Sequence, residues 1–214
     1  MQLSLLQQLW NVAWHEISHK PGPQQGFSYL IALYSEKHRK YHTIQHLYEC
    51  LLQAEQAKHL AAHYGEIIIA LWFHDAIYDT HKLDNEEQSA NLAKHYLEAQ
   101  LVPQENIQRI YDLILTTKHS CTTKTTDEAL LVDIDLSILG AAPSRFYEYE
   151  KQIREEYCFV PEKIFNGKRV EILQRFLDQQ RIYRTDYFFG SHEKQARINL
   201  SYAIERINAG KDAN

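Results

Sequence analysis

Glycine, proline and cysteine are scarce in this 214-residue chain, at 7, 5 and 3 residues. So few Gly and Pro enforce few turns, and with 44 % hydrophobic and 24 % charged residues the composition is that of a folded chain, not a disordered one. No Gly-rich phosphate loop follows a strand, and no Val/Ile runs alternate at period two, which excludes a βαβ nucleotide-binding unit. The three cysteines, Cys50, Cys121 and Cys158, have no CxxC spacing and leave an odd thiol if two pair. They read as reduced, structural thiols of a cytoplasmic protein. Long hydrophobic runs are missing too. The most apolar stretch, Ile67 to Phe73, is too short to cross a bilayer, so no membrane partner is expected. Positive charge is in deficit, with 23 Lys plus Arg against 28 Asp plus Glu and a net charge of -5. That balance gives no general field for a nucleic-acid backbone or an anionic membrane, and no basic and aromatic residues interleave as a nucleic-acid groove requires.

What is present is helical periodicity. Leu5, Leu6, Leu9, Trp10, Ala13 and Ile17 recur every three to four residues and give the N-terminal segment one apolar face. That segment has neither the basic leader nor the cleavage site of a signal peptide. A short helix is expected near 27–34, then one from Ile44 toward Tyr64 capped by Thr43, with Gly65 as a break. The run Ile67 to Phe73 has the composition of a buried strand, but its helical flanks favour a central helix. Further helices are expected from an Asn85 cap, from Pro103, from a Thr126 cap to about Gly140, from Pro143, from Pro161 to Gln179, and from Glu193 to Ala209 after a Ser191 cap. The fold expected is all-α, one compact helical domain over 1–214 whose N- and C-terminal helical extensions pack on the core. Aromatic surface on such a domain is compatible with a homodimer.

Twelve histidines stand out, since His changes protonation or binds transition metals near neutral pH. His74 and Asp75 follow directly on the apolar run, where a buried carboxylate beside an imidazole needs a compensating partner such as a cation. Adjacent residues do not share a helix face, so this pair best surrounds an ion from a helix end. His46 can add an imidazole from another helix, and Asp133 or Asp135 of VDIDLS a second carboxylate. Such a nitrogen and oxygen set suits Mn, Fe, Zn, Co or Ni, and Mg if it is rich enough in oxygen.

The order His46, His74-Asp75, then Asp133 or Asp135 resembles the H…HD…D signature of the HD phosphohydrolase superfamily. The segments RKYHTIQHL, IALWFHDAIYD, DNEEQSA and LLVDIDLSILG are similar to its predicted metal-dependent subgroup. The likeness covers about residues 39 to 140, and YEKQIREEY and ARINL are compatible with it. It implies a compact HD-type helical bundle in which His46, His74, Asp75 and a distant Asp hold a divalent cation. Asp135 fits the familiar position of that last ligand, and Asp133 is the alternative.

Around this set, His42 lies four residues before His46 and shares its face if the helix starts early enough. It is a candidate to orient water, touch phosphate or help bind a second ion, and Asp75 is counted with it as catalytic. Arg39 is suited to bidentate phosphate recognition, and Lys118, His119 and Arg154 are further candidates for binding the substrate's charge. The resemblance implies hydrolysis of a phosphate ester or phosphoanhydride in a small phosphorylated compound, a nucleotide among the candidates. The alternative is a catalytically inactive HD module that binds metal or nucleotide and regulates a partner.

Overall fold

A computed structural model describes residues 2–118 and 123–210. The expected all-α class holds: ten α-helices and two 3-10 segments account for the regular structure, with no strand among the described residues. No helix among them is long and apolar enough to cross a membrane. The helices divide into two compact units, Met1–Ile134 and Asp135–Asn214.

The first unit is organised around helix α4, Tyr64–Phe73, all ten of whose residues are buried. Its Ile and Leu run makes a strand-like composition, yet burial on every side suits a central helix equally well. Helix α1 (Gln2–Ser18), α3 (Ile44–Gln56), α5 (Asn85–Ala99) and α6 (Gln104–Thr116) all pack against it. Helix α2 (Gln24–Leu33) brings in Phe27, whose ring lies 5.4 Å from that of Trp72. Trp10 from α1 stands 5.3 Å from Trp72 and 5.4 Å from Trp14, so the aromatic side of the core is built from α1, α2 and α4.

Gly65 lies inside the first turn of α4 and is not the expected break. A Cβ there would come within 2.8 Å of Glu16 Cβ and 3.0 Å of the Ala13 carbonyl oxygen, so glycine lets α1 approach closely. The actual interruption is at the end of α3, where a 3-10 turn spans Lys58–Leu60. The next helix start is capped from a distance. The Asp127 carboxylate accepts from the Ala62 and His63 amides at 2.8 and 3.0 Å and from His63 Nδ1 at 3.1 Å. Asp127 belongs to α7, Thr126–Asp135, whose own cap is Thr125, accepting from the Glu128 amide at 3.1 Å, and not Thr126.

Two other expected caps move as well. Asn85 bridges the loop before α5: its Oδ1 accepts from the Asp79 amide at 3.1 Å and its Nδ2 donates to the Asp79 carbonyl at 2.9 Å. In the second unit, α10 runs Asp186–Asn208 and is capped by Thr185, with Ser191 inside the helix. That unit holds a 3-10 segment, Leu136–Gly140, and α8 (Pro143–Glu156), which starts at the expected proline, together with α9 (Glu162–Leu177) and α10.

Buried polar pairs fix its geometry. Asn199 Nδ2 donates to the Leu139 and Ala141 carbonyls at 2.8 and 2.9 Å, fastening α10 to the 3-10 segment. The Glu193 carboxylate takes the Ile182 and Tyr183 amides at 3.0 and 3.2 Å. Arg169 of α9 pairs with Glu150 of α8, its guanidinium 5.1 Å from the Tyr149 ring. Each satisfies groups that would otherwise cost free energy when buried.

Candidate metal centre

Two local structures in the first unit present the imidazoles. Thr43 caps α3, its Oγ1 accepting from the Gln45 amide at 3.3 Å, which sets the start of the helix at Ile44. His46, with Leu47, Cys50, Leu51 and Ala54, then faces inward on successive turns. At the other side, α4 ends at Phe73, and the His74 amide still bonds to the Ala70 carbonyl at 2.8 Å. The chain tightens at once, with the Ala76 amide on the Phe73 carbonyl at 3.0 Å, so His74 and Asp75 leave the helix through a turn. The expectation of a helix end at this pair holds, and the turn lets two neighbouring side chains converge.

They converge on His46. Its Nε2 lies 3.2 Å from His74 Nε2 and 3.4 Å from Asp75 Oδ2, and His74 Nε2 lies 2.9 Å from the same oxygen. Both imidazoles are buried, and the Asp75 side chain is 18 % exposed. Around an ion about 2.1 Å from each donor, neighbouring donors stand roughly 3.0 Å apart in an octahedral shell and roughly 3.4 Å in a tetrahedral one. The observed triangle has those edges. The hydrogen bonding also fits: His74 Nδ1 donates to the Leu71 carbonyl at 2.7 Å, which turns Nε2 toward the triangle as the nitrogen a cation would take, as in many metal-binding histidines. The same carbonyl accepts from the buried Tyr34 hydroxyl at 3.4 Å, whose phenol burial pushes up to about 12.

Burial works against ionisation of Asp75, but His74 and His42 in their protonated forms and hydrogen bonds from His46 and His74 more than offset it, and a cation at the triangle would take the place of those protons. Its carboxyl is held well below the usual carboxylate range. An anionic oxygen beside two imidazole nitrogens is a donor set for a divalent cation. Cys50 carries no motif of its own in the sequence, yet its Sγ lies 3.7 Å from His46 Nδ1. The i, i+4 spacing of the two residues on α3 is the signal that could have found it.

The surrounding candidates fall into different places. His42 is in the turn before α3, not on the helix, so the shared-face premise does not hold. Its ring nevertheless lies 5.8 Å from that of His46 and stacks on Tyr78 at 4.1 Å. Arg39 is 4 % exposed. Its Nη1 donates to the Asp75 carbonyl at 2.6 Å and the His42 carbonyl at 3.3 Å, and its Nη2 to the Ala76 carbonyl at 2.9 Å. Its Nε bonds to Glu36 at 3.0 Å, and the guanidinium lies between the Tyr34 and Tyr78 rings at 5.3 and 5.5 Å. The planar fork that suits phosphate is here engaged with backbone, and it ties the His42 turn to the His74-Asp75 turn.

Ser89 of α5 does similar work on the following residues, its hydroxyl accepting from the Ile77 amide at 3.0 Å and donating to the Ile77 carbonyl at 3.3 Å. Lys118 is ion-paired with Glu87 of α5. His119 lies outside the described residues, as does Cys121. Asp133 is completely buried in α7, and Asp135, the last residue of that helix and first of the second unit, is partly exposed. Arg154 lies in the second unit, on α8, where it donates to the Tyr157 and Val160 carbonyls at 2.7 and 3.2 Å.

Comparison of the chain with protein-family models, curated proteins and solved structures gives no match. What stands is an all-α fold carrying a His, His and Asp cluster of the kind that holds a metal in a helical domain.

Proposed function

We propose that this chain is a metal-dependent phosphohydrolase that cleaves a phosphate ester or phosphoanhydride in a small phosphorylated compound, with nucleotides first among the candidates. The observation that carries the reading is the triangle of His46 Nε2, His74 Nε2 and Asp75 Oδ2, with edges of 2.9 to 3.4 Å. The resemblance of its sequence context to HD phosphohydrolases supports the choice of phosphoryl chemistry. Asp135 is the proposed fourth ligand and Asp133 its alternative. Mn, Fe, Zn, Co, Ni and Mg are the candidate ions. A divalent cation at this place supplies a Lewis acid for a phosphoryl oxygen and a means of acidifying water.

The chain's own groups do the rest. His74, with Nδ1 donating to the Leu71 carbonyl, would present Nε2 to the cation in place of a proton. Asp75 brings one carboxylate and the proposed Asp135 a second, so with two neutral imidazoles the set would balance a divalent ion without placing excess negative charge toward a phosphate. His42, partly exposed and stacked on Tyr78, is the proposed residue for orienting water or contacting a phosphate oxygen. Arg39 acts as a positioning residue through the carbonyls of Asp75, Ala76 and His42.

The test is phosphate or pyrophosphate release across a panel of nucleotides and phosphomonoesters, after the purified protein is stripped and reloaded with each candidate metal. His46→Ala, His74→Ala and Asp75→Ala proteins that remain folded should each lose bound metal and at least about 100-fold in turnover. Unchanged turnover in all three contradicts the reading. Nucleotide or metal binding by calorimetry without product under any metal would instead assign the chain to the regulatory class.

A further inference from the structure

A cleft between α8, α9 and α10 lies wholly within the second unit and shares no residue with the His46, His74 and Asp75 cluster. Its volume is about 420 Å³, within the range of small-molecule sites. Phe146 and Ala203, both buried, and Phe165 give it an apolar floor, and Tyr147 forms a wall.

The charges in it are unevenly placed. Lys151 Nζ lies 4.8 Å and the Arg206 guanidinium 4.9 Å from the centroid of the same Tyr147 ring. Both cations are half-buried, whereas Glu155 and Glu162 at the same cleft are exposed. The third carboxylate, Glu150, is engaged with Arg169. Arg154, the remaining cation of the lining, directs its donors to the Tyr157 and Val160 carbonyls. The positive charge of the cleft is therefore concentrated at one aromatic wall, where Arg206 also hydrogen-bonds to Tyr147 and Tyr202. An anion that reaches both cations accepts charge-assisted hydrogen bonds from them.

We propose that this cleft is a second binding site, for a small amphipathic anion whose apolar body lies on Phe146, Phe165 and Ala203 and whose anionic group meets Lys151 and Arg206. The site is independent of the metal-centre reading, and its occupant is distinguished from a generic hydrophobic ligand by its charge.

The purified protein is titrated with anilinonaphthalene sulfonate, an aromatic anion, and in parallel with its uncharged relative phenylnaphthylamine, reading fluorescence and calorimetric stoichiometry. One sulfonate should bind per chain. Lys151→Gln and Arg206→Gln, checked for native near-ultraviolet circular dichroism, should each weaken it about tenfold while moving the neutral dye by less than about twofold. Ala203→Phe fills the floor and should remove both dyes. If that variant fails to fold, the two glutamine variants decide alone. Absence of a saturable single site, sulfonate affinity unmoved by both glutamine variants, or tighter binding of an aromatic cation than of the anion would each overturn the proposal.

Discussion

The guanidinium of Arg39 donates to the carbonyl of Asp75 at 2.6 Å, from a position 36 residues away in the chain. With its bonds to the His42 and Ala76 carbonyls it holds together the two turns that carry His42 and the His74-Asp75 pair. Removing a buried donor that serves three carbonyls leaves them without partners. Arg39→Ala should lose about 2 to 4 kcal/mol of stability in urea unfolding of the metal-free protein. Arg39→Lys keeps the charge but not the fork, and should recover less than half of that. In conditions where the variants are folded, isothermal titration with metal should show at least about tenfold weaker binding than wild type. Wild-type metal affinity in both would show that Arg39 has no part in shaping the centre.

Gly65 and Gly167 make opposed predictions from one substitution. At Gly65 an added Cβ meets the Ala13 carbonyl oxygen at 3.0 Å and Glu16 Cβ at 2.8 Å, and a backbone atom of a packed helix does not move aside cheaply. Gly65→Ala should cost about 1 to 3 kcal/mol despite the better helix propensity of alanine. At Gly167, in the middle of α9, nothing lies within 4 Å of the added atom, so Gly167→Ala should gain about 0.5 to 1 kcal/mol. Thermal unfolding of the two variants checks the signs.

His192 gives a pH dependence in the second unit. Burial beside Tyr183 and Phe188, with ring centroids 5.7 and 5.1 Å away, lowers its pKa by disfavouring the charged imidazolium. A lowered folded-state value means that the unfolded chain binds the proton more readily. The resulting stability is fully present above the unfolded value, about 6.5, and is lost as pH falls through the folded one. Urea midpoints measured on either side of that window should fall on acidification, and fall less in a His192→Gln protein that folds. Proton NMR of the ring should place its midpoint below that of an exposed histidine.

Much of this architecture is legible in the sequence because it rests on local chemistry. The Thr43 cap, Pro143 at the start of α8, the helical state of the Ile67 to Phe73 run and the turn at His74-Asp75 all follow from neighbouring residues. The cap positions at Thr126, Asn85 and Ser191 shift through local contacts, whereas for other residues a partner distant in sequence decides the role. Gly65 looks like a break until α1 is laid on it, and Asp127 like an ordinary first-turn acid until its carboxylate is seen on the amides of Ala62 and His63. Arg39 has the sequence look of a phosphate ligand, whereas three backbone carbonyls and two tyrosine rings surround its guanidinium. The i, i+4 relation of Cys50 to His46 was present in the sequence, but only the inward turn of both residues gives it weight.

The account depends most on one ion being held by His46, His74 and Asp75. Anomalous X-ray diffraction from crystals grown with manganese, recorded on both sides of its absorption edge, locates that ion without reference to activity. The expected result is a peak about 2.0 to 2.2 Å from His46 Nε2, His74 Nε2 and Asp75 Oδ2, absent from crystals of a folded His74→Ala protein. Replete crystals with no anomalous peak among these three atoms, or with manganese bound only elsewhere, would contradict it.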